Sequence, residues 1–159
     1  ELPRIEQWLH SILSADTELA TQVGARIYAY IAPQGAAMPY VIFSHQGGHD
    51  VRGVGPGRIM VSTMYQVKVV GPAANMAALV TAADRLDTLL QAASGAVTDG
   101  AVWACVREQP LAYVEVDSGA QYRHLGGLYR IMATAWEVEP EPEEPEGPGE
   151  PDVPDAPEE

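Results

Sequence analysis

The stretch that decides the fold is IMVSTMYQVKV at residues 59–69, followed by NMAALVTAADRLDTLLQAA at residues 75–93. In the first part apolar and polar side chains alternate, which is the period of a β-strand with one buried face. In the second part apolar residues recur every three or four positions, which predicts an amphipathic α-helix. In the strand, the side chains expected to face the core are Ile59, Val61, Tyr65, Val67 and Val69, and those expected to face outward are Ser62, Gln66 and Lys68. In the helix, the apolar side is expected to consist of Met76, Leu79, Val80, Ala83, Leu86, Leu89 and Leu90.

Upstream of this pair the chain predicts two helices and two strands. Residues 3–14 place their apolar side chains on one helical stripe. Asp16 is suited to cap a second, short helix, and Gly24 to end it, because Gly tolerates a left-handed backbone. Residues 26–31 and 40–46 are rich in the β-branched and aromatic residues that favour strands.

A glycine-rich segment follows the second of these strands. Residues 47–57 contain five glycines in eleven positions. Such a composition offers few side chains for a core, so it predicts an exposed, mobile loop that is free to contact a partner.

Two more strand-like segments lie downstream of the long helix, at residues 102–116 and 122–138. The turn residues Asp117-Ser118-Gly119 between them predict a hairpin. Pro110 interrupts the first segment, which indicates a bulge or an edge position. The order of helices, strands, long helix and strands predicts an α+β fold, in which a mostly antiparallel sheet is covered on one face by the long helix and the N-terminal helix.

The charge of the chain is concentrated at its C-terminal end. The 159 residues carry a formal charge of −13, but residues 139–159 hold ten acids, seven prolines and no base. Without them, 12 acids face nine bases and the net charge is only −3. We therefore expect an ordinary domain at residues 1–138 and an extended or disordered Pro/Glu-rich tail at 139–159.

Several classes of function do not fit this composition. The nine basic residues are scattered, which argues against a nucleic-acid-binding surface. Cys105 is the single cysteine, so an intrachain disulfide scaffold is excluded. No run approaches the roughly 20 apolar residues that cross a bilayer, so no membrane association is expected.

One cluster has the residue types of a metal site, namely His45, His49 and Asp50. Its spacing is poor, because positions four apart on a strand are separated by about 13 Å. Cys105 lies in an apolar segment without a base nearby, which indicates a buried structural residue. We expect no cofactor, no resident metal and no enzyme, and we keep a metal-dependent hydrolase at His45/His49/Asp50 as the alternative from another class.

The arrangement as a whole resembles the tail-completion or tail-terminator family of tailed phages and prophages. The resemblance covers roughly residues 5–138 and leaves out the acidic tail. The segments that carry it are Val23-Gly24-Ala25-Arg26-Ile27-Tyr28, Ala32-Pro33-Gln34-Gly35-Ala36, Pro39-Tyr40-Val41, the strand 61–70, the Ala/Leu-rich helix after Pro72, and Gly127-Leu128-Tyr129-Arg130.

This resemblance implies a structural virion protein of the tail-neck region, present in the host cytoplasm during assembly. Members look like ring-forming subunits, commonly hexameric, that cap the tail tube, end its polymerisation and join the tail to the head connector. The implied partners are other copies of the chain, the tail tube protein and a head-completion or connector protein. DNA would pass through the lumen without specific binding. A head-closure or neck protein is the alternative within the virion.

Contacts with these partners are expected at the glycine-rich loop and at the turn 117–126, because loops on a rigid sheet commonly carry binding. The candidate interface residues are Gly48, His49, Asp50, Arg52, Gly55, Asp117, Gln121, Arg123 and His124.

Overall fold

The computed structural model describes residues 1–55 and 57–135. These residues form three helices, a short 3-10 turn and six strands. In chain order the elements are α1 (Leu2–Ala15), α2 (Thr17–Val23), β1 (Ile27–Ala29), β2 (Tyr40–Arg52), β3 (Arg58–Pro72), the 3-10 turn (Ala73–Asn75), α3 (Met76–Leu90), β4 (Ala93–Val97), β5 (Gly100–Asp117) and β6 (Ala120–Ala135).

The six strands form one sheet in the order β1-β2-β3-β6-β5-β4. β1 pairs with β2 in parallel, and every other neighbouring pair is antiparallel. β3 and β6 therefore occupy the centre, and the two long hairpins β2–β3 and β5–β6 make up most of the sheet.

β3 has the alternation of buried and exposed side chains that the sequence predicts, except near its N-terminal end. Val61, Tyr65, Val67 and Val69 are buried, as expected. Ile59 was predicted to face the core, but 54% of its surface is exposed because it lies near the outer end of the hairpin. Ser62 was predicted to face solvent, but it is buried, and its hydroxyl accepts a hydrogen bond from Arg130 at 3.0 Å.

The helices cover one face of the sheet, as predicted. α1 buries Ile5, Leu9 and Leu13, and α3 buries an apolar stripe against β3 and β6. Burying a Leu or Ile side chain contributes about 1.5–3 kcal/mol, so this stripe dominates the cohesion between the layers. The prediction for α3 was too broad, since Met76 and Val80 are 43% and 37% exposed.

Asp16 fastens the second helix to the third. Its carboxylate accepts a hydrogen bond from the Leu19 N–H at 2.7 Å, which caps α2 as the sequence predicts. The Arg85 guanidinium on α3 donates two more hydrogen bonds to the same carboxylate, at 3.0 and 2.5 Å. Chiefly because of this hydrogen bonding from Arg85, the pKa of Asp16 lies below its usual value.

The α+β prediction is thus confirmed, with a mostly antiparallel sheet and the helices on one face. Pro110 follows directly after the register shift of β5 between Arg107 and Gln109, and within the described residues β4 does not reach it, so it lies at an edge position beside a bulge. None of the helices in the described residues combines the length and apolar character needed to span a bilayer. The acidic tail at 139–159 and the predicted strand end at 136–138 lie outside the described residues.

Candidate functional site

The glycine-rich segment is not a loop, contrary to the sequence-based expectation. Residues 47–52 continue β2 and pair with β3 from Met64 to Arg58, so that Gly48, His49, Asp50 and Arg52 are all strand residues. The turn is confined to the end of the hairpin, where the Gly53 N–H donates to the Gly57 carbonyl. The glycines are tolerated because the ladder with β3 supplies the backbone hydrogen bonds that a loop would lack.

Gly48 shows why a glycine is needed in this strand. A Cβ atom at that position would lie 2.7 Å from the Ser62 carbonyl oxygen and 2.8 Å from the Thr63 Cα atom. The glycine therefore permits β2 and β3 to approach closely beside the bulge between His45 and Gly47. The structure assigns Gly48 a packing role within the hairpin.

The second predicted contact element is likewise strand and not turn. Only Ser118 and Gly119 separate β5 from β6, and residues 120–126 pair with β5 along their whole length. Gln121, Arg123 and His124 are consequently β6 residues, and Asp117 is the last residue of β5. The antiparallel pairing of β5 with β6 extends to Asp117 and Ala120, although the polar composition of residues 117–126 indicated a longer turn.

His124 was expected on a surface turn but is 95% buried. Its ring stacks on Tyr113 at a centroid distance of 4.3 Å, and its Nε2 atom lies 3.0 Å from the Glu115 carboxylate without the alignment of a hydrogen bond. Burial, and then the charge of Lys68, lower the pKa of His124 against the opposing effect of Glu115. His124 thus contributes to the packing of β6 against β5.

The candidate metal residues lie along one strand. The His45 ring packs against Tyr65 at a centroid distance of 5.3 Å, and the Asp50 carboxylate pairs with Arg58 at 3.5 Å. His49 and Asp50 are adjacent residues of a strand, so their side chains leave it on opposite faces. Within the described residues, no three His, Cys, Asp or Glu side chains are close enough to hold a metal ion together.

Cys105 is a free thiol in the core, as the sequence predicts. Burial raises the pKa of this thiol to about 12, so that the thiolate form is scarce at neutral pH. This position has the character of an apolar packing residue.

The largest feature that sequence reasoning missed is a pair of open strand edges. β1 covers β2 only as far as Phe43, and β4 covers β5 only as far as Cys105. We call residues 44–52 the β2 edge and residues 107–117 the β5 edge. Each presents backbone N–H and C=O groups without a strand neighbour in the described chain, which is the usual template for pairing with another chain.

The β5 edge is also unusually apolar for an exposed strand. Tyr113, Val114 and Val116 are all exposed, Val116 by 66% of its surface. From the sequence alone, the alternation of these valines with Glu115 and Asp117 is typical of a strand with one solvated face. The signal for an open edge was the length of the strand. β5 has 18 residues, with Pro110 among them, whereas β4 has five and can cover only part of it.

The comparison with protein families decides the assignment. The family described as tail completion protein gp17 matches residues 7–132, which is most of the chain. The chain belongs to this family. It is accordingly a structural tail protein, and the resemblance drawn from the sequence is confirmed.

The fold has a counterpart among solved structures. A chain from a structure described as the virion of a native gene transfer agent particle is similar, with a TM-score of 0.60 and 21% sequence identity. The match covers 80% of this chain and 92% of the other chain. Among the curated proteins, none is similar enough to count as a match.

Proposed function

We propose that copies of this chain form a ring, which we expect to contain six copies. The ring caps the phage tail tube, ends its polymerisation and joins the tail to the head connector. The ring would reside in the tail-neck region of the virion and assemble in the host cytoplasm. Its partners would be the tail tube protein on one side and a head-completion or connector protein on the other. Membership of the tail completion family is the observation that carries this proposal.

A single chain of this size cannot enclose a DNA-sized channel, so a channel requires several copies. The open edges support a ring because they offer surfaces through which the copies can join. The β2 edge and the β5 edge lie on opposite sides of the sheet, separated by β3 and β6. Contacts between unlike edges of successive copies are heterologous, and heterologous contacts close into rings when the rotation permits.

The two hairpin ends support binding on two sides. The turn between Gly53 and Gly57 lies beyond the Val61–Ala133 pair, whereas the turn Ser118-Gly119 lies beyond the Pro72–Tyr122 pair at the other end of the sheet. In a ring whose strands run from face to face, one turn would point to the tube and the other to the connector. Of the candidate interface residues, Gly55 and Asp117 lie at these ends, and His49, Asp50 and Arg52 lie on the adjoining β2 edge.

The charges on the sheet support passage of DNA without specific binding. On the face away from the helices, the Arg130 guanidinium donates two hydrogen bonds to the Glu108 carboxylate, which balances its charge within the chain. Affinity for DNA that is independent of sequence comes from Lys and Arg that neutralise phosphates. A guanidinium that is already paired with a carboxylate of the same chain contributes little to that affinity.

Mass measurement of the purified protein, alone and mixed with tail tubes, tests the proposal. We expect an oligomer of defined size, and tubes of unchanged length once the protein has bound. A protein that stays monomeric in the presence of tubes would contradict the ring. Binding to the portal in preference to tubes would instead favour a head-closure or neck protein.

A substitution at the β2–β3 turn tests the role of that hairpin end. Val54 is a fully exposed apolar residue at the turn. Val54→Asp should leave the thermal midpoint within about 2 °C of wild type, since it alters no buried contact, but should weaken binding to one of the two partners at least tenfold. Unchanged binding to tubes and to the connector protein would remove this turn from the interface.

A further inference from the structure

Each side of the sheet is covered over only part of its length. β1 pairs with β2 at residues 41–43, and β4 pairs with β5 at residues 100–105. The two uncovered stretches have similar lengths, nine residues in the β2 edge and eleven in the β5 edge. A soluble protein with two long open edges needs something to cover them, because open edges promote aggregation.

We propose that the β5 edge of one copy pairs with the β2 edge of the next copy, so that the sheets of all copies join into one closed sheet around the axis. This inference rests on the ring proposed above and names the surface that builds it. The two edges cannot meet within one chain, since β3 and β6 lie between them. Pairing one edge with the other therefore takes two copies of the chain.

The strand directions agree with this pairing. β2 is antiparallel to β3, β3 to β6 and β6 to β5, so β5 runs opposite to β2 in each copy. Copies related by rotation around an axis keep their strand directions. The β5 edge and the β2 edge of neighbouring copies would thus meet as an antiparallel pair, which is the pairing used in nearly the whole sheet.

The stagger of the two edges gives a quantitative check. The middle of the β5 edge, Ala112, is level with Leu125 of β6, whereas the middle of the β2 edge, Gly48, is level through Thr63 with Ile131. The offset of six residues corresponds to about 20 Å along the strands, and four strand spacings correspond to about 19 Å across them. Bringing the edges level therefore tilts the strands by about 45° from the axis, within the range of closed barrels.

The same geometry sets the width of the lumen. Six copies, each contributing β2, β3, β6 and β5, would form a sheet of about 24 strands with a backbone diameter of about 50 Å. The helices would lie outside this cylinder, because they cover one face only, and the opening would admit double-stranded DNA.

Charge and apolar surface also match at the proposed contact. Antiparallel alignment with Ala112 opposite Gly48 places Glu108 of the β5 edge level with Arg52 of the β2 edge, which has the opposite charge, and Val114 level with Gln46. Val114 would be covered in this contact, which removes exposed apolar surface from water. Pro110 has no N–H to donate, and the Arg107 N–H already donates to the Gln91 side chain at 2.9 Å, so the new hydrogen bonds concentrate at residues 111–117.

Paired cysteines test the contact. In a Cys105→Ala background, Val114→Cys would be combined in turn with Gln46→Cys, which the proposed register places opposite it, and with His49→Cys or Val51→Cys, which lie about 10 and 17 Å further along the β2 edge. We expect mild oxidation to produce ladders of cross-linked chains up to the size of the ring, at one of these positions much faster than at the others. Val114→Cys combined with Thr21→Cys on α2 is the matched control and should give no ladder. A dimer from Val114→Cys alone would contradict the proposal, because it would show β5 pairing with itself.

A charge on the edge provides a second test that separates the two proposals. Val114→Lys should raise the concentration needed for ring formation at least tenfold while the circular dichroism spectrum stays unchanged. Val80→Lys, at an exposed position of α3, is the control and should leave ring formation unchanged. If the ring persists in Val114→Lys and no cysteine pair cross-links, the edge contact is wrong and the ring stands. If the wild-type protein forms no oligomer even with tubes, the ring itself is wrong.

Discussion

Gly126 is the position at which we expect a single methyl group to be most damaging. A Cβ atom there would lie 2.1 Å from the Val67 carbonyl oxygen and 2.7 Å from the Lys68 Cα atom, both on the neighbouring strand β3. Ordinary contacts begin near 3.4 Å, so Gly126→Ala must part the two central strands by about 1.3 Å. A side chain could rotate away from such a clash, but a strand backbone cannot.

The cost follows from that movement. Overpacking of this kind costs about 1–3 kcal/mol, and one stretched ladder hydrogen bond adds about 1 kcal/mol. The lower backbone entropy of Ala in the unfolded chain returns about 0.5–1 kcal/mol. We therefore expect Gly126→Ala to lower the free energy of unfolding by about 1–3.5 kcal/mol, and the thermal midpoint by about 2–14 °C.

Urea denaturation, followed by circular dichroism, measures this difference directly. Gly57→Ala is the matched control, since a Cβ atom at Gly57 has nothing within 4 Å, and we expect a change below about 0.5 kcal/mol. The reasoning would be refuted if Gly126→Ala unfolded within 0.5 kcal/mol of wild type at an unchanged m-value, taking about 0.5 kcal/mol as the noise of such comparisons.

Three further predictions concern single side chains. Asp16→Ala should lower the free energy of unfolding by about 1 kcal/mol or more, because α2 loses its cap, whereas Asp16→Asn should keep the cap and lose only the charge that Arg85 pairs with. Because folding lowers the pKa of Asp16, its ionised carboxylate stabilises the protein above the unfolded pKa, and this stabilisation disappears as the pH falls through the folded pKa. In Asp16→Asn, the free energy of unfolding should therefore lack this decrease at acidic pH. His124 has a folded pKa below its unfolded value of about 6.5, so wild type should lose stability as the pH falls below about 6.5 and through the folded pKa. A His124→Gln variant that showed the same decline would exclude His124 as its cause. Cys105, with a pKa of about 12 and no exposed surface, should react with a thiol reagent at pH 8 at least a hundredfold more slowly in the folded protein than in urea, and equal rates would contradict its burial.

Local patterns predicted the elements correctly where one face of each element is buried. The period of two in β3, the period of 3.6 in α1 and α3, and the Asp16 cap each record a contact with the core or the backbone nearby. The family resemblance could be drawn for the same reason, because its short segments are structural elements in a particular order. The fold class followed from that order alone.

The candidate site could not be predicted in the same way. Residues 47–57 and 120–126 have the composition of loops, but β3 and β5 supply their backbone partners, and that pairing joins residues far apart in sequence. His124 has the polarity of a surface residue, but its ring stacks on Tyr113 of β5 and it lies opposite Val70 of β3, so its burial depends on two other strands.

By itself the sequence determined the helices, the central strands, the buried Cys105 and the separation of an acidic tail from a near-neutral body, because each depends on side-chain pattern and composition. Only the tertiary structure decided that β1 and β4 are too short to cover their neighbours. It also set the stagger of six residues between the β2 edge and the β5 edge. The reason is physical: a strand's own residues specify which of its faces is buried, but whether its edge is covered depends on the register of the strands beside it.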